Sequence, residues 1–215
     1  MRRIPKLLPP DVLVANADAW TDAILGESPS EADRLRYRHP DIKQRLLEET
    51  SWKCSYCESK IGHNCPGDIE HKIPKAPHPE TTFAWENLTI ACSECNRRKG
   101  QYNNPRSRLL DPNVDDVEAR LVHAGPLVFA VTGDSSSEVT VRLLELSKPS
   151  KRQELIARKA EKLEAVQNLL ERIAGTPPAP LKELLIDEVR SMMEASAEYS
   201  AMVMAYLSSP TAGFS

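Results

Sequence analysis

Two C-x2-C pairs, Cys54 with Cys57 and Cys92 with Cys95, have the residue type and spacing of a metal cage. Zinc takes four thiolate or imidazole ligands in a tetrahedron, and a two-residue spacer lets both sulfurs of one tight turn reach the same ion. Two such knuckles complete a four-thiolate site. A closed coordination sphere leaves no position for water or substrate, so Zn2+ held there is structural. Free cysteines paired by accident, or the redox chemistry of a lone C-x2-C, are the alternatives; two pairs flanking one segment fit a metal better. Cys65 is left over. The 34 residues between Cys57 and Cys92 exceed the gap of a simple zinc ribbon.

That gap holds IEHKIP (Ile69 to Pro74), and it is followed by WENLTIACSECNRRKG (Trp85 to Gly100). An acidic residue and His before x-I-P, then W-x-N-L, then C-x2-C-N-x2-K, resembles the HNH (ββα-metal) endonuclease family in its zinc-bearing form. The resemblance covers residues 54–100. It implies hydrolysis of a phosphodiester, which needs a base for water, a cation at the leaving oxygen and positive charge on the phosphate. By resemblance His71 is the general base, and Glu70 and Asn96 are oxygen ligands of a catalytic Mg2+ or Mn2+. Asn87 braces the loop and fixes the His71 imidazole, and Lys99 contacts a phosphate. Glu70 stands where the family usually has Asp, and Asn96 where other members carry His. Hard oxygen donors of that kind favour a hard ion over zinc.

Local geometry accounts for part of this. A short helix over Ser93 to Gln101 puts Asn96 and Lys99, three residues apart, on one face. Lys99 could equally be a helix C-terminal cation before Gly100. Glu70 and His71 are adjacent, so in a flat strand they point to opposite faces, and both serve one ion only if the strand ends or bends. His39, His63, His78 and His123 have no such company and read as ordinary surface or core residues.

The elements that must position these residues follow from periodicity. Leu13, Ala17, Trp20 and Ile24 mark a helix from Asp11, and Pro40-Asp41 opens a second helix with Ile42, Leu46 and Leu47 on one side. LVFAV after Pro126, a GDSSS turn and the alternating EVTVRLLEL predict a β-hairpin. Leu163, Val166, Leu170 and Ile173 predict a long amphipathic helix that stops at Thr176–Pro180. One final helix then runs from Leu181 to Tyr206. The expected fold is α+β and mostly helical: a ββα-metal core with the four-cysteine site, an additional β-hairpin and flanking amphipathic helices. The divisions are 1–50 (N-terminal helical segment), 51–110 (HNH core), 111–148 (hairpin extension) and 149–215 (C-terminal helical hairpin).

The formal net charge is -3, with a pI near 6.0, which argues against tight autonomous binding to nucleic acid. Local clusters run the other way. Arg97, Arg98, Lys99 and Arg106, with Arg108, follow the second cysteine pair and are candidate nucleic-acid contacts; Arg34, Arg36 and Arg38 form a second group that reads equally well as a solvated face. No apolar run approaches the roughly 20 residues of a membrane span, and the N-terminus lacks a signal-peptide core, so a cytoplasmic protein without a membrane partner is expected.

Beyond the core, residues 36–170 resemble PtuB-like nucleases of Septu and related retron antiphage systems. That resemblance implies a DNA substrate and a PtuA-type ATPase as partner, docked through the terminal amphipathic helices. Two other readings stay open: a zinc-stabilised nucleic-acid-binding or adaptor module without nuclease activity, and an autonomous restriction-type nuclease.

Overall fold

The computed structural model describes residues 1–62 and 65–209; His63 lies outside them. Three helices lead the chain: α1 (Asp11–Leu25), α2 (Glu31–Leu35) and α3 (Pro40–Glu49). Helix α3 starts where Pro40 takes the first position, which needs no amide donor, and the His39 ring accepts from the Asp41 N–H. Its buried residues Ile42, Leu46 and Leu47 pack toward the strand pair that follows.

Strands β1 (Asp68–His71) and β2 (Leu88–Ala91) pair antiparallel, with Asp68 opposite Ala91 and His71 opposite Leu88. Every residue of β2 is buried, and α4 (Ser93–Lys99) follows it almost at once. The Cys92 sulfur caps α4 by accepting from the Cys95 amide at 3.4 Å, so the second knuckle and the helix start are one turn. Gly67 enters β1 at φ +69°. A Cβ there would sit 2.7 Å from Ile61, so only glycine lets the strand pass the first knuckle.

The second half is α5 (Val117–Arg120), β3 (Leu121–Ala124), β4 (Leu127–Ala130), α6 (Ser135–Leu143), α7 (Gln153–Ala174), α8 (Ala179–Met193) and α9 (Ser200–Leu207). Helices α7 and α8 pack against each other, and α9 packs on α8 and β3. One cluster of buried apolar residues runs through all these parts, from Met1 and Leu13 through Leu88 and Ile90 to Val203. The protein is α+β and mostly helical, with two small two-stranded sheets among the described residues. Among those residues no helix is long and apolar enough to cross a membrane.

Two expected elements differ. The hairpin lies one strand earlier: LVFA is its second strand, paired with Leu121–Ala124 across Gly125-Pro126, while EVTVRLLEL falls mostly within and just beyond α6. Asp134 accounts for this, because its carboxylate accepts from the Ser136 and Ser137 amides and starts a helix that the alternating valines conceal. The expected last helix is two, α8 and α9, separated at Tyr199, which takes φ +58°.

Candidate functional site

The four sulfurs of Cys54, Cys57, Cys92 and Cys95 lie within 4.8 Å of one another, and all four residues are buried. The Cys57 and Cys92 sulfurs are 3.8 Å apart. A tetrahedron with metal–sulfur bonds of about 2.3 Å has edges near 3.8 Å, so the cage has the size for zinc. Its surroundings are cationic. The buried Arg152 guanidinium points at the Cys95 sulfur from 3.6 and 3.7 Å and is fixed by donating to the Leu144 carbonyl at 2.8 Å. Four thiolates on one dication leave a net negative charge, which a buried guanidinium offsets. Sequence reasoning missed Arg152; nothing in its local pattern separates it from a surface arginine.

Strand β1 sorts the other candidates. Alternation puts Asp68 and Glu70 on one face and Ile69 and His71 on the other. On the first face, Glu70 meets α4. Lys99 Nζ lies 2.6 Å from Glu70 Oε1 and donates to the His71 carbonyl at 2.7 Å, with both side chains almost fully buried. The approach to Oε1 is an ion pair without hydrogen-bond geometry, so that buried oxygen has no hydrogen-bond partner among the described residues. Burial raises the Glu70 carboxyl to about 7 against the opposing pull of Lys99. Asn96 donates its amide to Asp68 Oδ2 at 3.1 Å, which leaves its own Oδ1 free of hydrogen bonds among the described residues. Asp68 was not anticipated, although two-residue spacing from Glu70 was the signal that could have found it.

His71 turns to the opposite face. Its Nε2 lies 3.1 Å from the Thr82 carbonyl, and because a carbonyl only accepts, Nε2 carries the proton and Nδ1 keeps the lone pair. The ring edge packs on Tyr37, with centroids 4.7 Å apart at 76°. Burial, with Lys75 nearby, holds the imidazole down to about 4, so it is neutral near pH 7. Asn87 braces the loop between the strands: its Oδ1 accepts from the Ile73 amide at 2.7 Å, and its Nδ2 donates to the Ile73 and Thr81 carbonyls at 3.0 and 3.1 Å. Among the described residues no hydrogen bond joins it to the imidazole. It holds Thr81, and the neighbouring Thr82 holds His71.

The basic residues are placed differently from expectation. Lys99 is buried on Glu70 rather than open to a phosphate. Arg98 pairs with Glu94 at 2.6 Å and with Glu145, and it donates to the Lys151 carbonyl, so it fastens α4 to the segment before α7. Arg97 is exposed and paired with Glu94 at 2.9 Å. Arg106 is exposed, with no ion pair to its side chain among the described residues. Lys99 faces inward because α4 lies against β1. A cavity of about 470 Å³ beside α6 is not lined by these residues, whereas one of about 750 Å³ is bordered by Tyr56, Asn87, Lys99 and Tyr102.

A strand pair followed by a helix, a cysteine cage at its base, and a carboxylate and an amide facing each other between strand and helix now stand together. Residues 54–101 match the HNH endonuclease family. This segment is an HNH endonuclease domain. The chain is also similar to the Septu protein PtuB of Bacillus thuringiensis, 31% identical over 110 residues, which are 50% of this chain and 42% of that protein. The Septu protein PtuB of Bacillus mycoides (strain KBAB4) is 32% identical over 74 residues, 28% of this chain and 25% of that protein. The chain thus spans less than half the length of the curated relatives it matches.

Proposed function

We propose that this protein is a metal-dependent endonuclease that hydrolyses phosphodiester bonds in DNA, acting as the nuclease component of an antiphage defence system together with a PtuA-type ATPase. The observation that carries the catalytic part is the buried Glu70 carboxylate, held by Lys99 at 2.6 Å on the strand face where Asp68 binds Asn96 and leaves the Asn96 Oδ1 without a hydrogen bond among the described residues. A carboxylate with a side-chain amide is a donor set for Mg2+ or Mn2+. The residues present therefore fit a hard divalent ion. When bound, it supplies Lewis-acid stabilisation of the departing 3′-oxygen.

The chain's own groups do the rest. Glu70 and Asn96 hold the ion, and Asp68 orients Asn96 by taking its amide hydrogen. His71, neutral and turned by Thr82, is the last residue of β1, where the strand ends, and there its Nδ1 accepts the proton of the attacking water. Cys54, Cys57, Cys92 and Cys95 would hold a structural Zn2+, which would tie the first knuckle to the start of α4 and take no part in the reaction. The defence role and the ATPase partner rest on the likeness to the Septu protein PtuB, and a net charge of -3 is consistent with a companion that brings the DNA.

A cleavage assay on plasmid, single-stranded DNA and RNA, with EDTA, Mg2+ or Mn2+, tests this. Cleavage of DNA that requires added Mg2+ or Mn2+ and is lost in His71→Ala, with zinc and fold retained, is expected. A zinc-loaded, folded protein that cleaves nothing, with or without its ATPase neighbour, would leave the adaptor reading instead.

A further inference from the structure

Tyr37 closes one side of His71, and what gathers on its hydroxyl is unusual. Lys75 Nζ donates to that hydroxyl at 2.8 Å and sits 3.9 Å from the ring centroid. Arg38 Nε donates to the same oxygen at 3.2 Å, with its guanidinium 5.6 Å from the ring. Two cations thus share one neutral acceptor, and neither has a carboxylate partner among the described residues. Elsewhere in the same segment Arg36 pairs with Asp33 at 2.6 Å, so the lack of compensation is local to the His71 side. Arg38 is exposed and Lys75 half-buried, which leaves both able to reach a ligand.

We propose that Arg38 and Lys75 form the phosphate-binding site of this nuclease, holding a backbone phosphate of the substrate strand beside the His71 ring. The inference rests on the nuclease reading above and names its anion contacts. Like charges brought together without a counter-charge repel unless an anion joins them. A phosphate offers what Tyr37 cannot: several charged oxygens, to which a guanidinium can bind in a fork and an ammonium as a point charge. The site also replaces a role the α4 cations do not fill, since Lys99 and Arg98 are already engaged with Glu70, Glu94 and Glu145. Tyr37 gives the phosphate nothing itself: a bound phosphate takes both cations from its hydroxyl, while its ring packs on His71.

The test is the salt dependence of binding to a fluorescent duplex and to single strands of DNA and RNA, measured in EDTA so that nothing is cut. Each phosphate contact on a duplex contributes about 0.9 to the slope of log affinity against log salt. The double variant Arg38→Ala, Lys75→Ala is expected to lower that slope by roughly 0.9 and low-salt affinity by at least about tenfold, with zinc content and circular dichroism unchanged. Arg38→Lys with Lys75→Arg should restore the slope, and Tyr37→Phe should leave it unaltered. An unchanged slope in the double variant would overturn the proposal. So would an equal loss in Tyr37→Phe, which would make the cations mere supports for the ring, or a lack of any salt-dependent binding by the unaltered protein. Cleavage read in parallel separates the two claims: a folded protein that binds with the expected slope but never cuts loses the nuclease reading and keeps the phosphate site.

Discussion

The cysteine cage and the Glu70 pocket are joined by α4 yet built on opposite principles. In the cage all four donors converge, are buried, and are backed by a fixed guanidinium from Arg152. In the pocket Lys99 leans on the Glu70 carboxylate, the Asn96 Oδ1 takes no hydrogen bond among the described residues, and the base sits at the strand's end on its other face. A region that only has to hold its shape turns its donors on one point. A region that has to react keeps donors in reserve, and it can do so because the neighbouring cage fixes the backbone.

The largest effect expected from that contrast is loss of the cage. Cys95→Ser, or chelation of zinc, should unfold residues 54–101, since structural zinc in small domains contributes about 10–16 kcal/mol to folding; circular dichroism and proteolysis would show it. A folded, zinc-free domain would break the comparison. Next is His71→Ala, which should lower the cleavage rate about 10²–10⁴-fold while Tm and zinc content stay level. A parallel fall in Tm would mean that His71 is structural too.

Arg152→Leu sharpens the cage side. Removing one member of a buried charge pair costs about 3–5 kcal/mol, which lowers Tm by roughly 10 °C in a chain of this size. The Mg2+ or Mn2+ requirement should not move. Smaller still is a pH effect next to the cage. His123 is shielded at both ring nitrogens, and burial, with the amino terminus and Lys159 adding to it, holds it down to about 3. The folded state stays neutral while the unfolded chain takes a proton below about 6.5. Stability therefore falls as pH drops through that window, by about 2 kcal/mol between pH 6.5 and 5, and levels off near 3. Denaturant titrations of His123→Leu should show a shallower slope over that range.

How much of this was legible depended on whether the signal was local. The cage needed only spacing, because C-x2-C carries its own geometry. Glu70, His71, Asn87 and Asn96 were legible as a pattern, and the expected strand alternation did put Glu70 and His71 on opposite faces. What escaped depended on packing. The engagement of Lys99 and Arg98, the approach of Arg152 to Cys95, and the meeting of Lys75 with Arg38 over Tyr37 join residues 29 to 57 positions apart or across a loop. The misplaced hairpin has another cause: Val139, Val141 and Leu143 alternate like a strand, while Asp134 decides for a helix from outside that run.

The central claim is that two separate ions serve the two regions. Titrating the zinc-loaded protein with Mn2+, followed by electron paramagnetic resonance with zinc counted by elemental analysis, tests it most directly. The account predicts one bound Mn2+ beside one retained zinc, with Glu70→Gln abolishing the first and leaving the second. Mn2+ binding that ignores Glu70→Gln, or that displaces the zinc, would contradict it.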